Sequence, residues 1–188
     1  MGASPSPAAG RPASWWREQC LELLDADDWY GLYRTAMAWR VGGGGSSTPD
    51  AWLMDVCSAL LHRQPKTAVH CCDMALSVWV ERPGDRAVLR FVRGLLIADH
   101  VADPLRALDD LDHALYGPKW LAEQAAPELA RVTEEANRSR VGKPRAAPAP
   151  EWDPDYRDLI LSQSPDPVPS PAGPLPPDGA VPSLWSRP

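Results

Sequence analysis

ALDDLDHAL, Ala107–Leu115, and AVHCCDMAL, Ala68–Leu76, share one spacing. The first carries Ala107, Leu111, Ala114 and Leu115. The second carries Ala68, Cys72, Ala75 and Leu76 at the same offsets. Steps of four, three and one residues put these side chains on one face of an α-helix. A third stretch, WYGLYRTAM, starts at Trp29, as far before Ala68 as Ala68 lies before Ala107. It offers Trp29, Tyr33, Ala36 and Met37 as its stripe. The small alanine near the end of each stripe predicts a close helix neighbour. Self-similarity at a constant interval is the mark of stacked supersecondary units.

The flanking sequence extends the pattern. Trp52 stands as far before Ala68 as Phe91 stands before Ala107. The matching position in the first unit is Ala13, with Trp15 and Trp16 close by. Proline and glycine punctuate the chain between helical segments, as expected of helix hairpins. Ser14, Asp27 or Asp28, and Asp103 before Pro104 read as helix N-caps. VGGGGSS reads as a flexible linker, because it lacks the lysine and spacing of a phosphate loop. APELARVTEEANRSR reads as a last helix with Pro127 at its start. No segment alternates with the period of a strand. The expectation is an all-α fold of stacked antiparallel helix pairs, three pairs plus a capping helix, over residues 14–140. Residues 1–13 and the Pro-rich tail at 141–188 read as disordered. One amphipathic island, 151–163, interrupts the tail with Trp152, Tyr156, Leu159 and Ile160 at helical spacing.

The pattern Ala-x3-bulky-x2-Ala-Leu, with an aromatic residue (Trp52 or Phe91) at a fixed distance before it, resembles the tetratricopeptide repeat. Ala107, Leu111, Ala114 and Leu115 fit it best. Cys72 stands in the bulky slot of the middle copy, and Trp29 departs from the small residue the family places there. The resemblance covers about residues 14–118. It implies a non-catalytic module or adaptor that holds a protein or peptide in a groove. In this family such grooves often take acidic or C-terminal peptide segments. Arg86, Arg90 and Arg93, a basic stripe on one helix, would then be the partner-binding residues, joined by Trp152 and Tyr156 of the island. The other reading of the stripe is pairing within the chain, with the aspartates near Asp110.

Composition bounds the remaining functions. The net charge is −6, so nucleic acid and anionic membrane surfaces are poor partners. No apolar run reaches the roughly 20 residues that span a bilayer, and the N-terminus lacks the apolar core of a secretory leader. A cytoplasmic protein with four reduced cysteines is expected. Cys57, His62, His70, Cys71 and Cys72 raise the alternative of a metal- or redox-responsive protein. Zinc wants converging ligands from short spaced pairs, whereas Cys71 and Cys72 point about 100° apart on a helix. The reading is therefore core packing, with Cys72 inside and Cys71 at the boundary, and no metal or cofactor. Asp109, Asp110 and Asp112 read as a solvated helix face, and no motif organises a catalytic nucleophile or base.

Overall fold

A computed structural model describes residues 11–78 and 86–144. Among these residues there are seven α-helices and no strand. They are α1 (Ala13–Asp25), α2 (Trp29–Gly42), α3 (Pro49–Leu61), α4 (Pro65–Val78), α5 (Ala87–Leu95), α6 (Pro104–Ala114) and α7 (Lys119–Arg140). A π-helical turn, Leu96–His100, continues α5. The chain divides between Val80 and Glu81 into two compact units. In the first, α3 packs against α1, α2 and α4, and α1 against α2. In the second, α5, α6 and α7 pack against one another. The island at 151–163, Trp152, Tyr156 and the rest of the tail from residue 145 lie outside the described residues.

The helix pairs repeat, in a register that corrects the sequence alignment. In α4 the buried stripe is Ala68, Cys72 and Ala75, and in α6 it is Ala107, Leu111 and Ala114. In α2 it is Leu32, Ala36 and Trp39, which starts three positions after Trp29. The interval that separates Trp52 from Ala68 and Phe91 from Ala107 leads back from Leu32 to Trp16. Trp16, Trp52 and Phe91 are all buried. The turns agree. Each pair places a left-handed residue two positions before its second helix: Asp27 (φ 52°), Arg63 (φ 55°) and Ala102 (φ 60°). Backbone bonds of the Schellman type close the first two turns, from Asp28 N to the Leu23 carbonyl (2.9 Å) and from Gln64 N to that of Ala59 (2.8 Å). In the third pair the π turn adds one residue, and Asp103 N reaches back to Ile97 (3.0 Å).

Local chemistry explains the ends. Asp28 accepts a bond from Gly31 N (2.9 Å), and Asp103 from Arg106 N (3.1 Å), so both act as N-caps. Ser14 does not, because α1 begins one residue before it and its N-cap is Pro12. Pro127 does not start a helix: α7 runs through it without a break. The helix loses a backbone donor there, but Leu121 and Ala125 before it and Val132 and Ala136 after it are buried and hold both halves in place.

The glycine run is a packed corner rather than a flexible linker. After α2 the chain passes Gly44 (φ 79°) into a short 3-10 turn, Gly45–Ser47. A Cβ on Gly45 would lie 2.7 Å from Trp39 Cδ1 and 2.9 Å from Ala51 Cβ. A Cβ on Gly43 would lie 2.6 Å from Trp16 Nε1. The Trp52 indole donates to the Ser46 carbonyl (3.1 Å), tying the corner to α3. Gly43 and Gly45 are thus set by two buried tryptophans that leave no room for a side chain. Gly42, which faces open space, is the internal control. Gly45→Ala is expected to destabilise the protein by about 1–3 kcal/mol, and Gly42→Ala to leave stability unchanged or raise it by up to about 1 kcal/mol. Urea denaturation of both variants checks the pair, and equal effects would contradict the packed corner.

Candidate functional site

The shifted register of α2 has a chemical consequence. With Leu32, Ala36 and Trp39 turned inward, Trp29, Tyr33, Met37 and Val41 form a second apolar stripe that the core does not use. They are 36%, 43%, 44% and 78% exposed. The corresponding positions are Pro65, Val69, Asp73 and Ser77 in α4, and Pro104, Leu108 and Asp112 in α6 with Tyr116 in the turn after it. Each of those stripes carries an aspartate at the third position, where α2 has Met37. The ridge on α2 is therefore not required by the helix-pair architecture.

Beside the ridge lies a cavity of about 570 Å³. Trp29, Tyr33 and Arg40 of α2 form one wall, Asp55, Ser58 and Ala59 of α3 the floor, and Thr67, His70 and Cys71 of α4 the other wall. His62, in the turn after α3, stacks on Trp29 with ring centroids 3.7 Å apart and completes the rim. Ser58 Oγ donates to the Trp29 carbonyl (2.8 Å), which pins the start of α2 to the floor.

The charges of this cavity are unusual. Asp55 is buried in α3, where every residue from Ala51 to Leu60 is inside. Arg40 Nε approaches Asp55 Oδ2 at 2.6 Å, yet neither carboxylate oxygen accepts a well-directed hydrogen bond. The pair thus has Coulomb attraction and one close but poorly directed N–H contact, less than the set of bonds that normally compensates a buried carboxylate. Burial wins: it pushes the Asp55 carboxyl up to about 6, against the opposing pull of Arg40. Arg40 also lies over Trp52, its guanidinium carbon 4.1 Å from the ring centroid.

The cysteines do not form a reactive set. Cys20, Cys57, Cys71 and Cys72 are all buried, so Cys71 is a core residue and not a boundary one. Burial, helped by the Asp55 charge, pushes the Cys20 and Cys71 thiols up to about 12. They are neutral at physiological pH, which works against thiolate chemistry. Among the described residues no cluster of three or more His, Cys, Asp or Glu could hold a metal ion, and no helix is long and apolar enough to cross a membrane.

The arginine stripe lies in the second unit. Arg93 bonds both oxygens of Asp110, with Nε at 2.7 Å from Oδ2. Arg90 Nη1 lies 3.3 Å from Asp110 and 3.4 Å from Asp109. Arg86 is half-buried just before α5. Asp110 is buried and holds α5 to α6, so it is not part of a solvated face, whereas Asp109 and Asp112 are exposed. Asp99, on the π turn, is buried likewise and receives two bonds from Arg131 (3.0 and 2.8 Å). A small depression of about 190 Å³ adjoins this pair, but Arg131 is engaged by Asp99 and Glu128 there. Trp120 is half-buried on α7.

Arg40 and Asp55 were not singled out by the sequence reading. One signal was present: Asp55 is the only charged residue in AWLMDVCSALL. A helix apolar all round is buried all round, so a lone carboxylate within it requires a buried cation. Comparisons with protein-family models, characterised proteins and solved structures give no match to this chain.

Asp55 titrates at a higher pH folded than unfolded, so the folded state holds its proton more tightly. This group's contribution to stability is therefore greatest below about 4, falls as pH rises through about 6, and is flat above. Asp55→Asn is expected to abolish that fall and to gain up to about 3 kcal/mol over wild type at pH 7. Denaturation curves between pH 4 and 7.5 measure this, and parallel profiles for the two proteins would contradict it.

Proposed function

We propose that the protein is a non-catalytic interaction module of cytoplasmic type, and that it holds an apolar segment of a partner protein against α2. This agrees with the groove binding that the tetratricopeptide resemblance implies. The reading is carried by the surplus apolar stripe Trp29–Tyr33–Met37–Val41. An exposed row of large apolar side chains beside a concave, aromatic-walled cavity is the usual form of a docking surface. From Trp29 to Val41 the row covers about 18 Å of helix, which matches roughly three turns of an amphipathic partner helix. Tyr33 and Trp29 are the anchors by residue type, since aromatic side chains dominate such interfaces. The Arg86, Arg90 and Arg93 stripe serves this reading less well, because a ligand there has to displace Asp110 from Arg93.

A photo-reactive residue at Tyr30, which flanks the ridge and is exposed, tests the proposal in cell extract. The full-length chain is expected to yield a discrete cross-linked partner. Yield should fall more than tenfold with Tyr33→Glu or Met37→Glu, and stay unchanged with Leu105→Glu, an exposed leucine on α6. Helicity of each variant is checked by circular dichroism. Cross-linking indifferent to the ridge substitutions, or only to a second copy of this chain, would overturn the proposal.

A further inference from the structure

We infer that the cavity between α2 and α4 is a carboxylate site, in which a ligand carboxylate takes Arg40 from Asp55 while Asp55 takes up a proton. The inference rests on the partner-binding reading above and names the chemistry of the group that enters. It starts from how Arg40 is shared. A guanidinium carries five N–H donors in a fixed fork. Its closest approach to Asp55 is from Nε, and its guanidinium carbon lies 4.1 Å from the Trp52 ring centroid. The side chain lines the cavity, and its terminal nitrogens make no hydrogen bond among the described residues. A carboxylate accepts two parallel bonds from such a fork.

Asp55 is a weak competitor for that fork, because its own contact with Arg40 is close but poorly directed. A second anion beside a buried carboxylate disfavours the ionised form of one of them. Asp55 is the one already pushed towards neutrality by burial, so it takes a proton from solvent and the ligand keeps its charge. The sum of charges around Arg40 is zero before and after, with one carboxylate exchanged for another and no covalent bond altered. The groups facing Asp55 are Cys20 from α1, Arg40 from α2 and Cys71 from α4. The two thiols stay neutral across the relevant range. His62 and His70 line the same cavity.

Calorimetric titration of the full chain with indole-3-propionate, an aromatic carboxylate, and with its uncharged amide tests this at pH 5.5 and 7.5. Two buffers of different ionisation enthalpy report proton uptake. Wild type is expected to take up close to one proton per ligand at pH 7.5, and to bind about tenfold more tightly at pH 5.5. The pH dependence should persist when His62 and His70 are both replaced by Gln. It should vanish in Asp55→Asn, which should bind at pH 7.5 about as tightly as wild type at pH 5.5. Arg40→Met should remove the preference for the carboxylate over the amide. A Kd independent of pH without proton uptake, an amide that binds as tightly as the acid, or no binding of either probe would each overturn the carboxylate site. The wild-type titration decides this even if a variant fails to fold. The cross-linking result stands or falls separately, because it depends on the ridge and not on a carboxylate.

Discussion

One buried carboxylate organises the four-helix unit. Asp55 sits at the middle of α3, the helix that packs against each of the other three in that unit. A charge there is tolerable only with a cation beside it, and Arg40 reaches it from the far end of α2. Arg40 in turn lies over Trp52, whose indole is tied to the Ser46 carbonyl of the glycine corner. That corner fits because Gly43 and Gly45 yield space to Trp16 and Trp39. The ion pair, the stacked tryptophan and the side-chain-free corner therefore form one connected arrangement. Its unsatisfied part, the poorly directed contact at Asp55, opens onto the cavity.

In the same unit, α2 has two apolar faces. Its core stripe, Leu32–Ala36–Trp39, follows the spacing that Ala68–Cys72–Ala75 and Ala107–Leu111–Ala114 also obey. Its other stripe has no counterpart in α4 or α6, where Asp73 and Asp112 stand instead of Met37. Exposed apolar area of this kind contributes nothing to folding and promotes aggregation. The partner segment proposed above is what would cover it.

The helices were legible in the sequence because their stripes and turn residues agree at every level, and the Asp28 and Asp103 caps were visible for the same reason. The register of the first pair was not. Trp29, Tyr33 and Met37 are as apolar and as well spaced as Leu32, Ala36 and Trp39, so periodicity alone could not choose between two faces of one helix. The step from Trp16 to Leu32 does choose, once burial shows that Trp16 is the equivalent of Trp52 and Phe91. The glycine run misled for a related reason: composition reports conformational freedom but not which tryptophans crowd the backbone. The arginine stripe is legible as basic, yet its bonds to Asp110 depend on how α5 meets α6. Arg40 and Asp55 belong to different helices, and only the packing of α2 on α3 brings them to 2.6 Å.

The direct measurement of the central arrangement is the titration of the Asp55 carboxyl carbon by NMR, read together with the Arg40 Nε–H resonance. A midpoint near 6 is expected, with the Arg40 signal shifting over the same pH range as its partner is neutralised. A midpoint near 4, the ordinary value for aspartate, with an Arg40 signal that does not respond, would contradict it.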